Sequence, residues 1–254
     1  LDSIDIVFHL AGYAHDLANT INKEYIYQNL NVSATTNLIE IAARKGVKRF
    51  IYISSVKGGG VILSSRCMSE NDQGSPKDIY GSTKREAELK VLEFGKKFNM
   101  HVSIMRPALV YGLGMKGNLG VMLNGVQDGW FPPLPKTNNK RSMICVNDLV
   151  KAIILISEDS RANGGIYIAT DDHQYSSREI YEVMCKVANK TAPKWSVPRL
   201  IFSLLARIGD VIDFIPFNSY GYQKLFGSEC YSMEKLKKLG FKPKYNLLSS
   251  LKKS

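Results

Sequence analysis

The sequence predicts an α/β protein with a parallel sheet wrapped by helices on both faces and a second, smaller region that is mostly helical. Three observations predict this fold. Short apolar segments alternate with longer helical segments in the first half of the chain, which is the order of a parallel sheet. The second half is less regular and richer in helical segments. The length of 254 residues is enough for one large α/β domain or two smaller ones.

The first half contains three strand-like segments. Each is short, apolar and rich in β-branched or aromatic residues, which is typical of a buried parallel strand. Two segments with helical patterning separate them, and the first of these stops at Gly46. The strand-like segments cover residues 4–12, 47–55 and 101–111, and the helical segments cover residues 23–44 and 78–98.

The second half begins with a loop over residues 129–141, as its proline and asparagine content indicates. A helix over residues 147–157 and a strand over residues 164–170 follow, and mostly helical segments continue to the end of the chain.

The most apolar helical segment of the second half covers residues 199–214. Arg207, Asp210 and Asp213 interrupt its apolar pattern. We therefore predict an amphipathic helix whose apolar face is buried in the domain, in preference to a helix that contacts a membrane.

The charge balance narrows the class of partner. Lys and Arg number 34 against 23 Asp and Glu, so the net charge of +11 favours acidic partners such as nucleotide diphosphates, nucleic acid or anionic lipid. The four cysteines are widely spaced, and no histidine cluster could complete a zinc site with them. We expect a reduced, cytoplasmic protein without a metal. No basic leader and no apolar run of ~18 residues is present, so we expect neither export nor membrane insertion.

Gly112, Gly114 and Gly117 have the spacing G-x-G-x-x-G, which can mark the phosphate-binding turn of a dinucleotide site. The turn of such a site leads to a strand that ends in an acidic residue ~20 residues further on. Here a short helical segment and a proline-rich loop follow instead. We therefore predict a flexible turn that does not bind the cofactor.

The strongest chemical signal is the pair Tyr80 and Lys84 in the stretch YGSTK. Their i, i+4 spacing puts both side chains on one face of a helix. A phenol with a pKa near ~10 is too weak an acid to act as a base at neutral pH, but a neighbouring ammonium stabilises the phenolate and lowers that pKa. The pair could then exchange a proton with a substrate hydroxyl.

Ser54 and Ser55 end the predicted strand over residues 47–55, and ligands of parallel sheets bind beyond the carboxyl ends of strands. A serine hydroxyl there could hold the reacting oxygen while Tyr80 moves its proton. The residues alone leave a second interpretation open, in which both serines only cap the segment that follows.

Six segments of the chain are similar, in order and spacing, to those of a known enzyme family. They are VFHLAG (7–12), NLNVSATTNLIEIA (29–42), RFIYISSVK (49–57), YGSTKREAE (80–88), RPALVYGLGMKGN (106–118) and KRSMICVNDLVKAI (140–153). The chain thereby resembles the extended short-chain dehydrogenase/reductases. The nucleotide-sugar branch, the NAD-dependent epimerase/dehydratase family, is the most similar, and it implies a Rossmann-like doubly wound sheet.

The resemblance implies roles for individual residues. Tyr80 matches the catalytic acid/base, Lys84 the residue that lowers its pKa and grips the nicotinamide ribose, and Ser55 the hydroxyl that positions the sugar oxygen. The residues matched to the NAD site are Leu10, Ala11, Gly12, Asn31, Ser54, Tyr80, Lys84, Pro107, Leu109 and Val110. The residues matched to a nucleotide-diphosphate sugar are Ser55, Tyr80, Asn118, Leu119, Arg141 and Arg207.

The same resemblance implies NAD as the cofactor, with NADP as an alternative, and a homodimer paired through the helices over 23–44 and 79–98. It assigns residues 1–111 and 142–170 to the NAD-binding core and residues 112–141 and 171–254 to the substrate-binding region. A nucleic-acid partner is not expected, because basic and aromatic residues are not interleaved along a recognisable motif.

Two departures from the family pattern affect these expectations. The glycine-rich turn and the βαβ segment that precede DIVFHLAG in the family are not in this sequence, so we expect an N-terminally incomplete sheet and weak or no NAD binding by this chain alone. The stretch SSVKGGG, where relatives carry Val-Tyr-Gly or Val-Asn-Gly, predicts a looser loop above the sugar.

The activity implied for the restored enzyme is that of an epimerase or dehydrogenase acting at C4 of a UDP-sugar. Tyr80 would take the proton of the C4 hydroxyl while a hydride passes from that carbon to NAD. Two alternatives stay open: a reductase of a steroid-like or isoprenoid alcohol on the same fold, and a cofactor-deficient protein that binds without catalysis.

Overall fold

The computed structural model describes residues 3–14, 23–62, 66–212, 214 and 217–252. The chain divides into two compact units. The first contains residues 1–108, 147–170 and 231–243, and the second contains residues 109–146, 171–230 and 244–254. None of the helices in the described part of the chain has the length and apolarity needed to cross a bilayer. Among these same residues, no cluster of His, Cys, Asp or Glu could hold a metal ion.

The strands, in chain order, are β1 (Ile6–His9), β2 (Arg49–Ile53), β3 (His101–Pro107), β4 (Leu109–Tyr111), β5 (Arg141–Cys145), β6 (Gly165–Ala169) and β7 (Gln174–Tyr175). The α-helices are α1 (Lys23–Tyr27), α2 (Ala34–Arg44), α3 (Ile79–Phe98), α4 (Gly117–Asp128), α5 (Val146–Glu158), α6 (Ser177–Val187), α7 (Arg199–Gly209), α8 (Ser219–Phe226), α9 (Glu234–Lys238) and α10 (Leu247–Leu251). A π-helical turn (Gln28–Ser33) joins α1 to α2, and short 3₁₀ segments lie at Val56–Gly59 and Ser160–Ala162.

The first unit is built on a parallel sheet with the strand order β1-β2-β3-β6. Phe50 and Tyr52 of β2 are fully buried and belong to one apolar core with Ile39 of α2 and Val91 of α3. This architecture confirms the predicted α/β fold class with a Rossmann-like parallel sheet and flanking helices. Because all four strands run in the same direction, their carboxyl ends lie along one edge of the sheet.

The strand predicted over residues 101–111 is in fact two strands. β3 ends at Pro107, and the backbone N–H of Ala108 donates to the carbonyl of Ala169. β4 then pairs in parallel with β5, in a different sheet that also contains β7. Apolar patterning cannot show where a chain changes its pairing partner, so the prediction of one continuous strand is wrong.

The second unit has its own core around a buried carboxylate. The hydroxyls of Tyr111 and Tyr175 both donate to Oδ2 of Asp171, at 2.6 and 2.7 Å. The Tyr175 oxygen also accepts the N–H of Leu247 at 3.1 Å, which fixes the start of α10. Burial raises the pKa of Asp171 and that of both tyrosines. Because its hydrogen bonds are made, the buried carboxylate of Asp171 destabilises the fold little.

The helix predicted over residues 199–214 ends at Gly209. It buries one apolar face, through Phe202 and Ala206, as expected of an amphipathic helix packed on its domain. Its other large apolar side chains are exposed, which was not expected. The apolar residues cover more of the helix surface than one packing face can use.

The cysteines also depart from the expectation. Cys145 and Cys185 are free and buried in the second unit. Cys67 and Cys230 are disulfide-bonded, so the expectation that all four cysteines are reduced is wrong.

Candidate active site

The turn after β1 exposes the first residues matched to the cofactor site. Leu10, Ala11 and Gly12 are exposed, whereas Asn31 of the π-helical turn is fully buried behind them. The Asn31 side chain accepts a hydrogen bond from the N–H of Tyr13 at 2.7 Å and donates to its carbonyl at 3.0 Å. It also donates to Oγ1 of Thr83 at 3.1 Å. Asn31 therefore fixes the turn and ties it to α3.

At the carboxyl end of β2, the two serines have different surroundings. Ser55 caps the 3₁₀ segment, because its Oγ accepts the N–H of Lys57 at 3.2 Å. Ser54 is buried, and its hydroxyl has no hydrogen-bond partner among the described residues. The capping interpretation thus applies to Ser55, while Ser54 holds an unused buried hydroxyl.

The start of α3 brings Tyr80 to Ser55. Asp78 caps the helix by accepting the N–H of Gly81 at 2.7 Å. A Cβ at Gly81 would lie only 2.7 Å from the carbonyl oxygen of Lys57, so the helix approaches the 3₁₀ segment as closely as glycine permits. The Tyr80 hydroxyl lies near enough to Ser55 for the serine to oppose a rise in its pKa.

Lys84 is buried one helical turn after Tyr80. Its Nζ donates to the carbonyl of Ile53 at 2.9 Å and lies 4.8 Å from the centre of the Tyr52 ring. Burial lowers the pKa of Lys84 to about 8, and the Glu88 carboxylate opposes this shift. The pKa of His9 is lowered to about 4, mainly because the side chain is buried and also because of the Lys84 charge.

The pKa of Tyr80 moves in the direction opposite to the one expected. Burial raises it, the charge of Asp78 raises it further, and Ser55 opposes both. The Lys84 ammonium donates to the Ile53 carbonyl and lies over the Tyr52 ring. The expectation that Lys84 lowers the pKa of Tyr80 does not hold for this arrangement, in which Tyr80 is a neutral phenol.

The first unit fits the nicotinamide end of NAD. A Cβ at Gly12 would lie 3.1 Å from Nζ of Lys84 and 3.0 Å from Oδ1 of Asn31, so only a glycine backbone leaves this space free. A buried ammonium and the unused hydroxyl of Ser54 border the same carboxyl edge of the sheet. These are donors suited to the ribose and carboxamide oxygens of the cofactor.

A buried ion pair lies under the glycine loop. Arg106 of β3 donates to Glu88 of α3 through Nε at 2.8 Å and Nη2 at 2.5 Å. Both side chains are fully buried. A Cβ at Gly58 would lie 3.0 Å from Oε1 of Glu88, and a Cβ at Gly59 would lie 3.0 Å from Nη1 of Arg106. The loop backbone therefore lies directly on the pair.

This packing corrects the expectation of a looser loop. Gly58, Gly59 and Gly60 are all buried. Arg85 donates through Nε to the Gly58 carbonyl at 2.6 Å and through Nη1 to the Gly74 carbonyl at 2.6 Å. Glycine is present here because the backbone must approach other groups closely, and the resulting loop is held by hydrogen bonds.

Glu88 and Arg106 are functional candidates that the sequence reasoning missed. A signal was available, since Glu88 follows Lys84 by four residues on the same helix face. Arg106 lies in an otherwise apolar strand, where an arginine needs a buried acidic partner.

The remaining predicted residues have mixed surroundings. Pro107 is half-buried at the end of β3 in the first unit. In the second unit, Leu109 and Asn118 are exposed, Val110 is half-buried, and Leu119 is packed in the apolar core. Gly112, Gly114 and Gly117 form the turn between β4 and α4, with positive φ angles at Gly114 and Gly117.

The two arginines matched to the substrate differ strongly. Arg141 is buried, donates through Nη1 to the Lys224 carbonyl at 2.8 Å and lies 3.6 Å from Glu229. Arg207 is exposed on the last turn of α7. Within the described residues, no contact joins Arg207 to Arg141, so the structure does not bring these two together.

The buried ammonium predicts a stability cost that a variant can measure. Lys84→Met should raise the free energy of unfolding at pH 7 by up to about 3 kcal/mol, at about 1.4 kcal/mol per unit of pKa shift. Lys84 loses its proton near pH 8 in the folded protein and near pH 10.5 in the unfolded chain. The free energy of unfolding of the wild type therefore rises toward that of the variant between these pH values. Urea unfolding of both proteins from pH 7 to pH 10.5 measures the gap, which should close. Lys90→Met, at an exposed position of the same helix, should show no gap.

Comparisons with known proteins agree with this geometry. A model of the NAD dependent epimerase/dehydratase family matches residues 1–169. The UDP-glucose 4-epimerase of Vibrio cholerae is 32% identical over 222 residues, which cover 84% of this chain and 67% of that protein. The N-acetyl-alpha-D-glucosaminyl-diphospho-ditrans,octacis-undecaprenol 4-epimerase of Escherichia coli O157:H7 is 24% identical over 258 residues, covering 99% of this chain and 76% of that protein.

A solved structure shares the fold. It is the UDP-glucuronic acid 4-epimerase from Bacillus cereus in complex with UDP-glucuronic acid and NAD, with a TM-score of 0.75 at 20% identity. The match covers 98% of this chain and 73% of that one. Since the family model covers most of the sequence, this chain belongs to the NAD dependent epimerase/dehydratase family, which confirms both the resemblance and NAD as the cofactor.

Proposed function

We propose that the protein is an NAD-dependent epimerase or dehydrogenase that acts at C4 of a nucleotide-diphosphate sugar. The observation that carries this proposal is the meeting of Tyr80, Ser55 and Lys84 at the carboxyl end of β2. A phenol beside a serine hydroxyl can exchange a proton with one sugar oxygen. The similarity to UDP-sugar epimerases supports the substrate class.

Each of the three residues has a distinct role in this proposal. Ser55 donates to the sugar oxygen and fixes its position, while Tyr80 accepts the proton of the sugar hydroxyl and later returns it. Lys84 holds the ribose hydroxyls of the cofactor with the ammonium hydrogens that Ile53 leaves free. Bound NAD supplies the hydride acceptor. Since the pKa of Tyr80 is raised, Tyr80 acts as a base only after its phenol proton has passed to solvent, and the phenolate then takes the proton of the sugar hydroxyl.

Two features of the second unit favour the binding of an anion such as a diphosphate. The first turn of α4 carries Asn118 and offers free backbone N–H groups, which favour anions. Arg141 provides a buried positive charge that Glu229 neutralises only in part, at 3.6 Å. We assign these two residues to the nucleotide diphosphate.

A sugar linked through diphosphate to a polyprenol is a second candidate substrate. The large apolar side chains exposed on α7 favour it, because a lipid-linked substrate lies at a membrane surface. The similarity to the Escherichia coli epimerase named above supports this class.

The test is a turnover assay with NAD of the restored enzyme, in which the glycine-rich βαβ segment of the family precedes this chain. UDP-glucose, UDP-N-acetylglucosamine and a polyprenyl-diphosphate N-acetylglucosamine are incubated separately, and the configuration at C4 is read by NMR. Inversion without net NADH indicates an epimerase, and accumulation of NADH indicates a dehydrogenase. Ser55→Ala should abolish conversion, whereas Ser82→Ala, a matched change at an exposed serine of α3, should not. Failure to convert any of the three sugars, or full activity of Ser55→Ala, would refute the proposal.

A further inference from the structure

The helix α7 is apolar on two faces, and only one of them is buried. Phe202 packs inward against Phe226 and Phe217, with ring centres 5.1 and 6.2 Å apart. On the opposite side, five large apolar side chains of α7 are between 44% and 69% exposed. They are Leu200, Ile201, Leu204, Leu205 and Ile208, and we call them the apolar stripe. A helix that is hydrophobic all round normally has a partner on every side.

The exposed apolar surface continues beyond the end of α7. The N–H groups of Val211 and Ile212 both donate to the carbonyl of Ile208, which carries the helical turn on for three residues. Val211 is 84% exposed and Phe214 is 94% exposed. A contiguous exposed apolar surface of this extent is typical of a binding surface.

Basic and aromatic residues flank the stripe. Arg207 follows Leu204 by three residues and precedes Val211 by four, so it borders the stripe on the helix surface. Trp195 and Tyr220, in the segments before and after α7, are both more than 60% exposed. Residues 190–226 contain five Lys and Arg against two Asp, and one of those, Asp210, is hydrogen-bonded to Ser219. Tryptophan, tyrosine and long basic side chains around an apolar face are typical of the interface of a bilayer.

We propose that the apolar stripe of α7 docks on the surface of an anionic membrane, with the helix lying in the plane of the interface. Eleven residues span only about 16 Å, about half the hydrocarbon core of a bilayer, so α7 is suited to lying on the membrane. The net charge of +11 complements anionic lipid. A second copy of the chain is the weaker candidate, because a symmetric contact would bring the same basic residues of both copies together. This proposal departs from the expectation of no membrane contact, and it does not depend on the proposed function.

The test is co-sedimentation of the chain with lipid vesicles. Vesicles of phosphatidylcholine with phosphatidylglycerol should bind the protein, and vesicles of phosphatidylcholine alone should bind it about tenfold less. The double variant Leu204→Glu with Ile208→Glu should weaken binding by about tenfold or more. The matched control is Val150→Glu with Ile154→Glu on α5, where two apolar residues have the same spacing and nearly the same exposure.

A second measurement leaves the helix intact. Trp130→Phe leaves Trp195 as the sole tryptophan, and its fluorescence should shift to the blue on the anionic vesicles and be quenched by brominated lipid. Equal binding by the two double variants, or no spectral change, overturns the proposal. Self-association without vesicles that only the α7 variant abolishes would assign the stripe to a second copy, and it would overturn the proposal too.

Discussion

Replacing Tyr80 with Phe is expected to lower kcat by about 10²–10⁴-fold, the range by which a positioned acid/base accelerates a proton transfer. The substitution removes only the hydroxyl near Ser55 and keeps the ring beside Tyr27, whose centre lies 6.4 Å away. Binding of the nucleotide sugar should therefore change little. The measurement is kcat under saturating sugar and NAD, with calorimetric titration of UDP-sugar in parallel.

Tyr25→Phe provides the control for this change, because it deletes the same atom from an exposed tyrosine on α1. Its kcat should equal that of the wild type. A loss of less than about tenfold in kcat would be smaller than the least effect expected of an acid/base residue. In that case Tyr80 would not be the base. A loss of sugar affinity with unchanged kcat would instead make Tyr80 a binding residue.

The largest effect on stability is expected from Glu88→Ala, which leaves the Arg106 guanidinium buried without its partner. Both side chains are only 1% exposed, so water cannot replace the two hydrogen bonds. Removing one member of a buried ion pair costs about 3–5 kcal/mol of the free energy of unfolding. Urea denaturation at pH 7 measures this loss.

Two further variants separate the charge from the packing. Glu93→Ala, which breaks the exposed pair with Lys90 on the same helix, should cost less than about 1 kcal/mol. Replacing Glu88 and Arg106 together by Leu should restore most of the stability lost in Glu88→Ala, because the desolvation cost disappears with both charges. A double variant as unstable as the single one would show that the fold depends on the pair itself.

The order of strands and helices in the first unit could be predicted from the sequence because short apolar segments alternate with longer segments of helical patterning. β2 and β6 lie inside their predicted segments, and α3 begins one residue after its predicted start. The division after Pro107 could not be predicted, since Leu109 pairs with Met143, far along the chain. Nothing in the local pattern identifies that partner.

The candidate site could be predicted in position but not in electrostatics. Tyr80, Lys84 and Ser55 lie where a parallel sheet places a ligand. The direction of the pKa shift of Tyr80 depends on its burial and on the charge of Asp78, and both effects are properties of the folded protein. The homodimer, the cytoplasmic location and the roles of the individual site residues stay predictions.

The close approach of the loop at Gly60 restricts which substitutions this protein can accept. Gly60 has a φ of 73°, and a Cβ there would lie 2.4 Å from the backbone of Gly74. A library randomised at position 60 and selected for folding should return almost only glycine. Sequence variation in this loop is therefore expected at neighbours such as the half-buried Lys57 and not at Gly60.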